Sequence, residues 1–340
     1  MTLLEKAEQC EQEIFDFHLQ DGLLIGKRVD PSRKVLYTNE NSGLRTGCLL
    51  SALSLKWSIN GDLHTRQRAH RVARAVEMLE WATGVPGMTA RQYKFMQGPG
   101  PDEAGWLQDK WHQCRFYRWL DNVSTDEITW FLLGLADYVN LCAEGEYRRN
   151  ASAVINRVIG RMLDHGMRIV YADGTVTTWG DCSRATPLEP LYCLHGLAYL
   201  KRAELATANE RFADAYDEYI RDDQYLHQGV HCYKLGVERG CWAPYDWQLA
   251  APEFELLIKH DKDLRRRDLF KEGLLEMAAA PDANIHPHLC TALLGLGGED
   301  KVRQWLQEWS LTEETSGVDK GWYHWIYWKA RSARLIADSD

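Results

Sequence analysis

A helical period that recurs from one end of the chain to the other restricts the possible folds most strongly. Val72, Ala75, Val76 and Leu79 fall at i, i+3, i+4 and i+7, which marks one face of a helix. Val154, Ile155, Val158, Ile159 and Met162 form a similar stripe before Gly166, a suitable C-cap. Read this way, the chain is expected to form about twelve helices, over 3–19, 46–59, 63–82, 125–143, 147–165, 190–205, 209–220, 247–259, 263–278, 288–295, 299–309 and 322–336. Only Arg168–Tyr171 and Thr175–Thr178 read as strands, joined by Asp173-Gly174, a favoured two-residue hairpin turn. Strands do not alternate with helices, which disfavours a doubly wound or TIM-type sheet.

A second regularity points to the architecture. The third, fifth, ninth and eleventh helices are heavily charged, as in RQRAHRVARAVEMLE and DKDLRRRDLFKEGLLE. The second, fourth, sixth and tenth are apolar on nearly every side, as in CLLSALSLKW and ITWFLLGLA. A helix apolar all round is buried, and an amphipathic one is peripheral. The expectation is an all-α fold, an (α/α)6 toroid of six hairpins in two concentric rings with one small β-hairpin insertion. Residues 46–59, 125–143 and 190–205 belong to its inner ring, and the whole of 1–340 is read as one domain. A superhelical repeat array would show a fixed sequence period, and none is visible.

Composition narrows the function. A formal charge of −9 argues against nucleic acid or an anionic membrane as partner, since both are met with a basic surface. No run approaches the roughly 20 apolar residues of a membrane span, and residues 1–20 carry acidic side chains where a leader would be basic and then apolar. The expected location is the cytoplasm, or the periplasm or exterior if a leader has been removed. The nine cysteines form no close CxxC pair, and Cys48, Cys142, Cys193 and Cys290 lie in apolar helical stretches, so they read as reduced core residues. His286-Pro287-His288 projects its rings in different directions, and HExxH, GxSxG, P-loop and GxGxxG motifs are absent, so no metal and no cofactor is expected.

In such a ring, the loops leading from outer to inner helices share one face: 83–124, 166–189, 221–246, 279–287 and 310–321, with the segment before the second helix. They hold Asn39, Glu40, Asn41, Arg45, Tyr93, Lys94, Trp106, Trp111, His112, Trp119, Asp121, Trp179, Asp181, Tyr245, Asp246, His286, His288 and Asp319. The opposite connections are short, as in NGD, EGE and GGED. Long polar and aromatic loops on one face of a rigid scaffold mark a binding site. Tryptophan faces stack on the CH-rich faces of sugar rings while Asp, Asn, Arg and His bond hydroxyls, so this mixture suits a saccharide.

Three clusters stand out. Trp119-Leu120-Asp121-Asn122-Val123-Ser124-Thr125-Asp126-Glu127 precedes an apolar helix; Ser124 with Glu127 is a capping box, while Asp126 either serves the helix dipole or faces the pore. In Asp173–Asp181, the glycines belong to turns, and Trp179 and Asp181 are candidate site walls. In Trp242-Ala243-Pro244-Tyr245-Asp246-Trp247-Gln248 a carboxylate stands among aromatic rings, which can keep it protonated; the alternative is a helix N-cap.

The runs LLSALSLKWSINGD, ARAVEMLEWATGVPGMTAR, WHQCRFYRWLDNVSTDE, DHGMRIVYADGTVTTWG and WQLAAPEFELLIKHD resemble bacterial proteins of the six-hairpin-glycosidase-like, (α/α)6-toroid group. The resemblance implies a tryptophan, an acidic residue and a Ser/Thr-Ser/Thr-Asp triplet before an inner helix, matched by Trp119, Asp121 and Ser124 to Asp126, and a DGxxTxWG hairpin, matched by Asp173 to Gly180. Similar rings include unsaturated glucuronyl hydrolases, other glycosidases, alginate and chondroitin lyases, and sugar epimerases. The Asn, His and Tyr run of alginate lyases is absent, and Ile128 and Trp130 stand where small or polar residues would follow the triplet.

The leading expectation is a glycoside hydrolase acting on an oligosaccharide or polysaccharide fragment, with a uronic acid held by Arg45, Lys94 or Arg118. Such hydrolysis needs one carboxylic acid and one carboxylate, and Asp121, Asp126, Asp181 and Asp246 are the candidates. Asp126 is read as the general acid and Asp246 or Asp181 as the base. Arg45, Tyr93, Lys94, Trp111, His112, Trp119, Trp179, Tyr245 and Trp247 are read as substrate-binding. The alternatives are a polysaccharide lyase with Tyr93, His112, Tyr171 or Tyr245 as base, and a non-catalytic carbohydrate-binding protein.

Overall fold

The computed structural model describes residues 1–26, 41–95, 110–185, 189–312 and 315–337. Among them the chain is mostly helical, with α1 (Leu3–Phe17), α2 (Ser42–Asn60), α3 (Leu63–Trp81), α4 (Thr125–Leu141), α5 (Gly145–Asp164), α6 (Pro190–Thr207) and α7 (Glu210–Tyr219). There follow α8 (Asp223–Val230), α9 (Cys232–Glu238), α10 (Trp247–His260), α11 (Leu264–Ala278), α12 (Ile285–Leu293), α13 (Glu299–Glu308) and α14 (Gly317–Ser332). Three small antiparallel sheets accompany them. β1 (Leu19–Gln20) pairs with β2 (Leu23–Leu24); β5 (Tyr117–Leu120) lies between β3 (Gln92–Phe95) and β4 (Trp111–Cys114); β6 (Arg168–Val170) pairs with β7 (Val176–Asp181).

The all-α expectation therefore holds, with corrections in detail. Segment 221–246 carries α8 and α9, whose few buried positions, such as Tyr225, Val230 and Cys232, are too short a series to register as a period. Segment 83–124 supplies the three-stranded sheet in addition to the single hairpin expected. Helix α12 starts earlier than predicted because Asn284 caps it, accepting from the His286 N–H at 3.0 Å, and Pro287 falls in the first turn where no intrahelical donor is lost. Helix α14 likewise starts at Gly317, with Ser316 accepting from the Asp319 N–H at 3.1 Å.

Six helices, α2, α4, α6, α10, α12 and α14, bury most of their surface, and each packs on the next, with α14 returning to α2. The others bury one stripe against them: α3 against α2 and α4, α5 against α4 and α6, α11 against α10 and α12, α13 against α12 and α14. Helix α1 packs on α14, and its buried Lys6 donates from Nζ to the Trp309 carbonyl at 2.6 Å, satisfying a carbonyl beyond the end of α13. Glycine lets α2 and α4 approach closely. A Cβ on Gly47 would stand 2.1 Å from the Trp130 carbonyl oxygen, and one on Gly134 would stand 2.3 Å from that of Gly47. Among the described residues no helix is long and apolar enough to cross a membrane.

Candidate functional site

A cavity of about 370 Å³ opens where the first turns of five buried helices meet. Asn41 and Arg45 come from the start of α2, Ser124 to Asp126 from α4, Glu189 and Tyr192 from α6, Asp246 and Gln248 from α10, and Val318 and Trp322 from α14. Trp179 from β7 and Tyr245 stand at its rim, 40% and 59% exposed, with aromatic surface available to a ligand. The volume falls at the lower end of the range of about 300–1,000 Å³ usual for small-molecule pockets.

Three carboxylates line this space. Asp126 is the second residue of α4, half-buried, and the Ser124 hydroxyl bonds its Oδ1. Glu127 is turned away, accepting from the Ser124 N–H at 3.0 Å as half of the expected capping box and pairing with the Arg91 guanidinium at 3.0 Å. Burial pushes the Glu127 carboxyl up, with Arg91 opposing. The same guanidinium donates to the Asn122 carbonyl at 2.8 Å and to Asn41 Oδ1, so Arg91 serves as a strut between the starts of α2 and α4.

Asp246 occupies the N-cap position of α10 yet makes no cap bond. Its Oδ2 instead accepts from the Ala243 N–H at 2.7 Å, which closes the preceding turn and holds the carboxyl inward, 5% exposed. Burial raises its pKa to about 6, and the neighbouring Glu189 and Asp126 charges push the same way, against the Ala243 hydrogen bond and the His195 imidazole. Glu189, half-buried immediately before Pro190, is also raised by burial. The Tyr245 phenol is pushed up by burial and by the three carboxylates Asp246, Asp126 and Glu189.

Behind the cavity wall a buried network ties three helices together. His195 Nδ1 on α6 lies 2.6 Å from Glu253 Oε2 on α10, Thr129 on α4 donates to Glu253 Oε1 at 3.2 Å, and Tyr199 donates to the Thr125 carbonyl at 2.6 Å. The helix starts that carry Asp126, Glu189 and Asp246 are thereby held in register.

Of the residues expected to converge, Asp126, Trp179, Tyr245 and Asp246 meet here together with Arg45, while Trp119, Asp121 and Asp181 do not. Asp121 is consumed as a latch: Oδ1 accepts from the Asn122 N–H at 2.8 Å, Oδ2 from the Ala172 N–H at 3.0 Å, and His112 Nε2 lies 3.3 Å away. The space it borders holds about 20 Å³, room for a single water and not a sugar. Asp181 pairs with Arg168 at 3.2 Å and accepts from the Ser183 N–H at 2.9 Å, which fixes the end of β7.

The remaining expected binding residues, apart from Trp247 at the start of α10, belong to the three-stranded sheet. Trp119 is 3% exposed and stacks on His112 at 4.5 Å; Tyr93 is buried and donates to the Asp21 carbonyl at 2.9 Å. Lys94 is buried with Nζ 4.5 Å from the centre of the Trp111 ring. Trp247 is 2% exposed, packed against Trp242 and Tyr233. Asn39, Glu40 and Trp106 lie outside the described residues. Glu189, Tyr192 and Trp322 were not read from the sequence as site residues. The usable signal for Glu189 was its place before Pro190, since glutamate is a poor N-cap.

Among the described residues, no group of three or more His, Cys, Asp or Glu side chains is placed to share a metal ion. No protein-family model matches the chain, and no curated protein matches its sequence.

Proposed function

We propose that the protein is a glycoside hydrolase built as an (α/α)6 toroid, acting on an oligosaccharide that carries a uronic acid. The closed succession of buried helices from α2 to α14 and back, with one-faced helices packed outside, supports the toroid. The observation that carries the chemistry is the set of Asp126, Glu189 and Asp246 in one cavity walled by Trp179, Tyr245 and Trp322, with Asp246 held near pKa 6. Hydrolysis needs two carboxyl groups in opposite protonation states, and unequal burial is how a protein separates them.

In this reading Asp246, protonated, donates its proton to the glycosidic oxygen as the bond to the anomeric carbon breaks. The Asp126 carboxylate, oriented by Ser124, takes a proton from the water that attacks the anomeric carbon. The roles are exchanged relative to the sequence expectation, because Asp246 is the more deeply buried and Asp126 has a hydroxyl donor at its side. The Arg45 guanidinium on the cavity wall suits the uronic carboxylate as a fork of donors. A lyase would need a Tyr or His base; of Tyr93, His112, Tyr171 and Tyr245, Tyr245 alone lines this cavity, and its phenol is pushed up, away from a base.

A panel of uronic-acid oligosaccharides from pectin, alginate, glucuronoxylan and glycosaminoglycans tests this by two readouts, new reducing ends and ultraviolet absorbance of an unsaturated product. Reducing ends without absorbance are expected. Asp246→Asn and Asp126→Asn should each lower turnover by about 10²–10⁴-fold while still binding substrate. Absorbance growing with cleavage would make the protein a lyase, and full activity in both variants would remove the two carboxylates from the mechanism.

A further inference from the structure

We infer that the binding surface continues past the carboxylate cavity into a second cleft of about 490 Å³, and that the ligand is an oligosaccharide long enough to occupy both. This rests on the carbohydrate reading above. The two spaces share a wall, because Trp322 lines each of them. One turn earlier on α14, Val318 borders the carboxylate cavity and its neighbour Asp319 borders the cleft, the i, i+3, i+4 relation that groups side chains on one side of a helix. Trp322 is a fixed ridge between them, set edge-on against Trp130 at 4.6 Å and against His286 at 5.4 Å.

Across the cleft stand two further indoles, both half-buried. Trp309 stacks on Tyr323 with centroids 4.3 Å apart and Trp305 on the same ring at 6.0 Å, so their orientations are set from behind. Exposed polar groups are interspersed with them: Lys301, Gln304 and Glu308 on α13 and Asp319 on α14. Rigid aromatic plates alternating with donors and acceptors fit a sugar, whose CH face covers an indole while its hydroxyls meet the polar groups. Helix α12 supplies the floor of the cleft, and it is the one buried helix whose first turn does not line the carboxylate cavity. The first turns of all six buried helices thus face one or other of two adjoining spaces.

The test is titration calorimetry of full-length Asp246→Asn protein with the same panel at disaccharide, tetrasaccharide and hexasaccharide length. Affinity should rise about tenfold from disaccharide to hexasaccharide, the scale of one added aromatic contact. Trp305→Ala added to this background should erase the gain, and Lys301→Ala, at an exposed position, provides a second variant should the loss of the indole disturb folding. Equal affinity at every length, or a gain that survives both substitutions, overturns the extended site and leaves the carbohydrate reading standing. No binding at any length overturns both.

Discussion

Replacing Asp246 by Asn is expected to stabilise the protein at alkaline pH while it lowers turnover. An unperturbed aspartate ionises near 3.9, whereas burial holds Asp246 at about 6. At about 1.4 kcal/mol per pH unit, the ionised folded state is roughly 3 kcal/mol worse off than the same carboxylate in the unfolded chain. The folded pKa lies above the unfolded one, so the contribution is favourable at low pH and is lost as pH rises. No penalty exists below about 4, where both states are protonated; it grows through about 6 and is complete above that. Asparagine keeps the shape, cannot ionise, and still presents a carbonyl to the Ala243 N–H that now meets Oδ2 at 2.7 Å. Part of that bond's strength is lost with the charge, so the expected gain is about 1–3 kcal/mol near pH 8 and close to zero near pH 4. For 340 residues, an unfolding entropy of about 2.1 cal/mol/K per residue converts this into a rise of roughly 1–4 °C in melting temperature. Thermal unfolding of both proteins followed by circular dichroism across this pH range measures the difference directly. A melting-point advantage that stays constant or shrinks toward alkaline pH would refute the placement of a protonated carboxyl at this position.

Two further outcomes follow from the packing. Gly134→Ala should cost about 1–3 kcal/mol or more, because its Cβ would meet the Gly47 carbonyl oxygen at 2.3 Å, backbone that moves only if α2 and α4 separate; an unchanged urea midpoint would contradict the close approach. Burial lowers the pKa of His286 to about 3 and of His324 to about 4, so both stay neutral in the fold while the unfolded chain takes up protons below about 6.5. Stability should be fully present above that pH and fall as pH drops toward 4 and 3, with His324 alone accounting for ~3 kcal/mol. His286→Phe, set among Trp322 and Trp325, should flatten this acid limb in chemical denaturation, and an equally steep limb would count against a buried neutral imidazole there.

The alternation of wholly apolar and one-faced helices was legible because burial on every side leaves no room for a polar stripe, as CLLSALSLKW against RQRAHRVARAVEMLE illustrates. The sheet of β3, β4 and β5 was hidden because both faces of β3 are covered; Gln92, Tyr93 and Lys94 are all buried, so no period of two appears. Within the site, residues at the first turns of apolar helices were recognisable, and so was the carboxylate among rings at Asp246. Asp121 and Asp181 were misread because each combines a local backbone bond, from the Asn122 and Ser183 N–H groups, with a partner across the fold: the Ala172 N–H is 51 residues beyond Asp121, and Arg168 lies on the opposite strand from Asp181. The sequence does not show the distant partner that completes the set. Trp322 was expected at the first residue of its helix; the true start at Gly317 puts it more than a turn inside, still on the wall.

Three of the helix starts on the cavity give up the stability of a side-chain cap. Along the outside, Thr2, Asp62, Asn209, Asp222 and Asp263 each accept a backbone N–H at the start of α1, α3, α7, α8 and α11. Asn41, Glu189 and Asp246, which open α2, α6 and α10 on the cavity, make no such bond. Helices α5, α9 and α13 also start without a side-chain cap, at exposed Glu144 and half-buried His231 and Gly298, while Asn284 and Ser316 cap the buried helices α12 and α14. At the cavity the cap positions are buried or half-buried, and each cap given up costs about 0.5–2 kcal/mol. Three such omissions on neighbouring segments of one wall, beside a buried carboxyl whose pKa is raised to about 6, concentrate a stability loss at the proposed site. A ligand that binds the folded protein and not the unfolded chain adds stability by mass action. Binding should therefore raise the melting temperature with the logarithm of ligand concentration above Kd, and it should do so more for the protonation-insensitive Asp246→Asn protein at alkaline pH, where the wild-type cavity carries an additional repelling charge. A thermal-shift titration with the uronic-acid panel checks this, and a ligand-induced shift that is larger for the wild type at alkaline pH would contradict it.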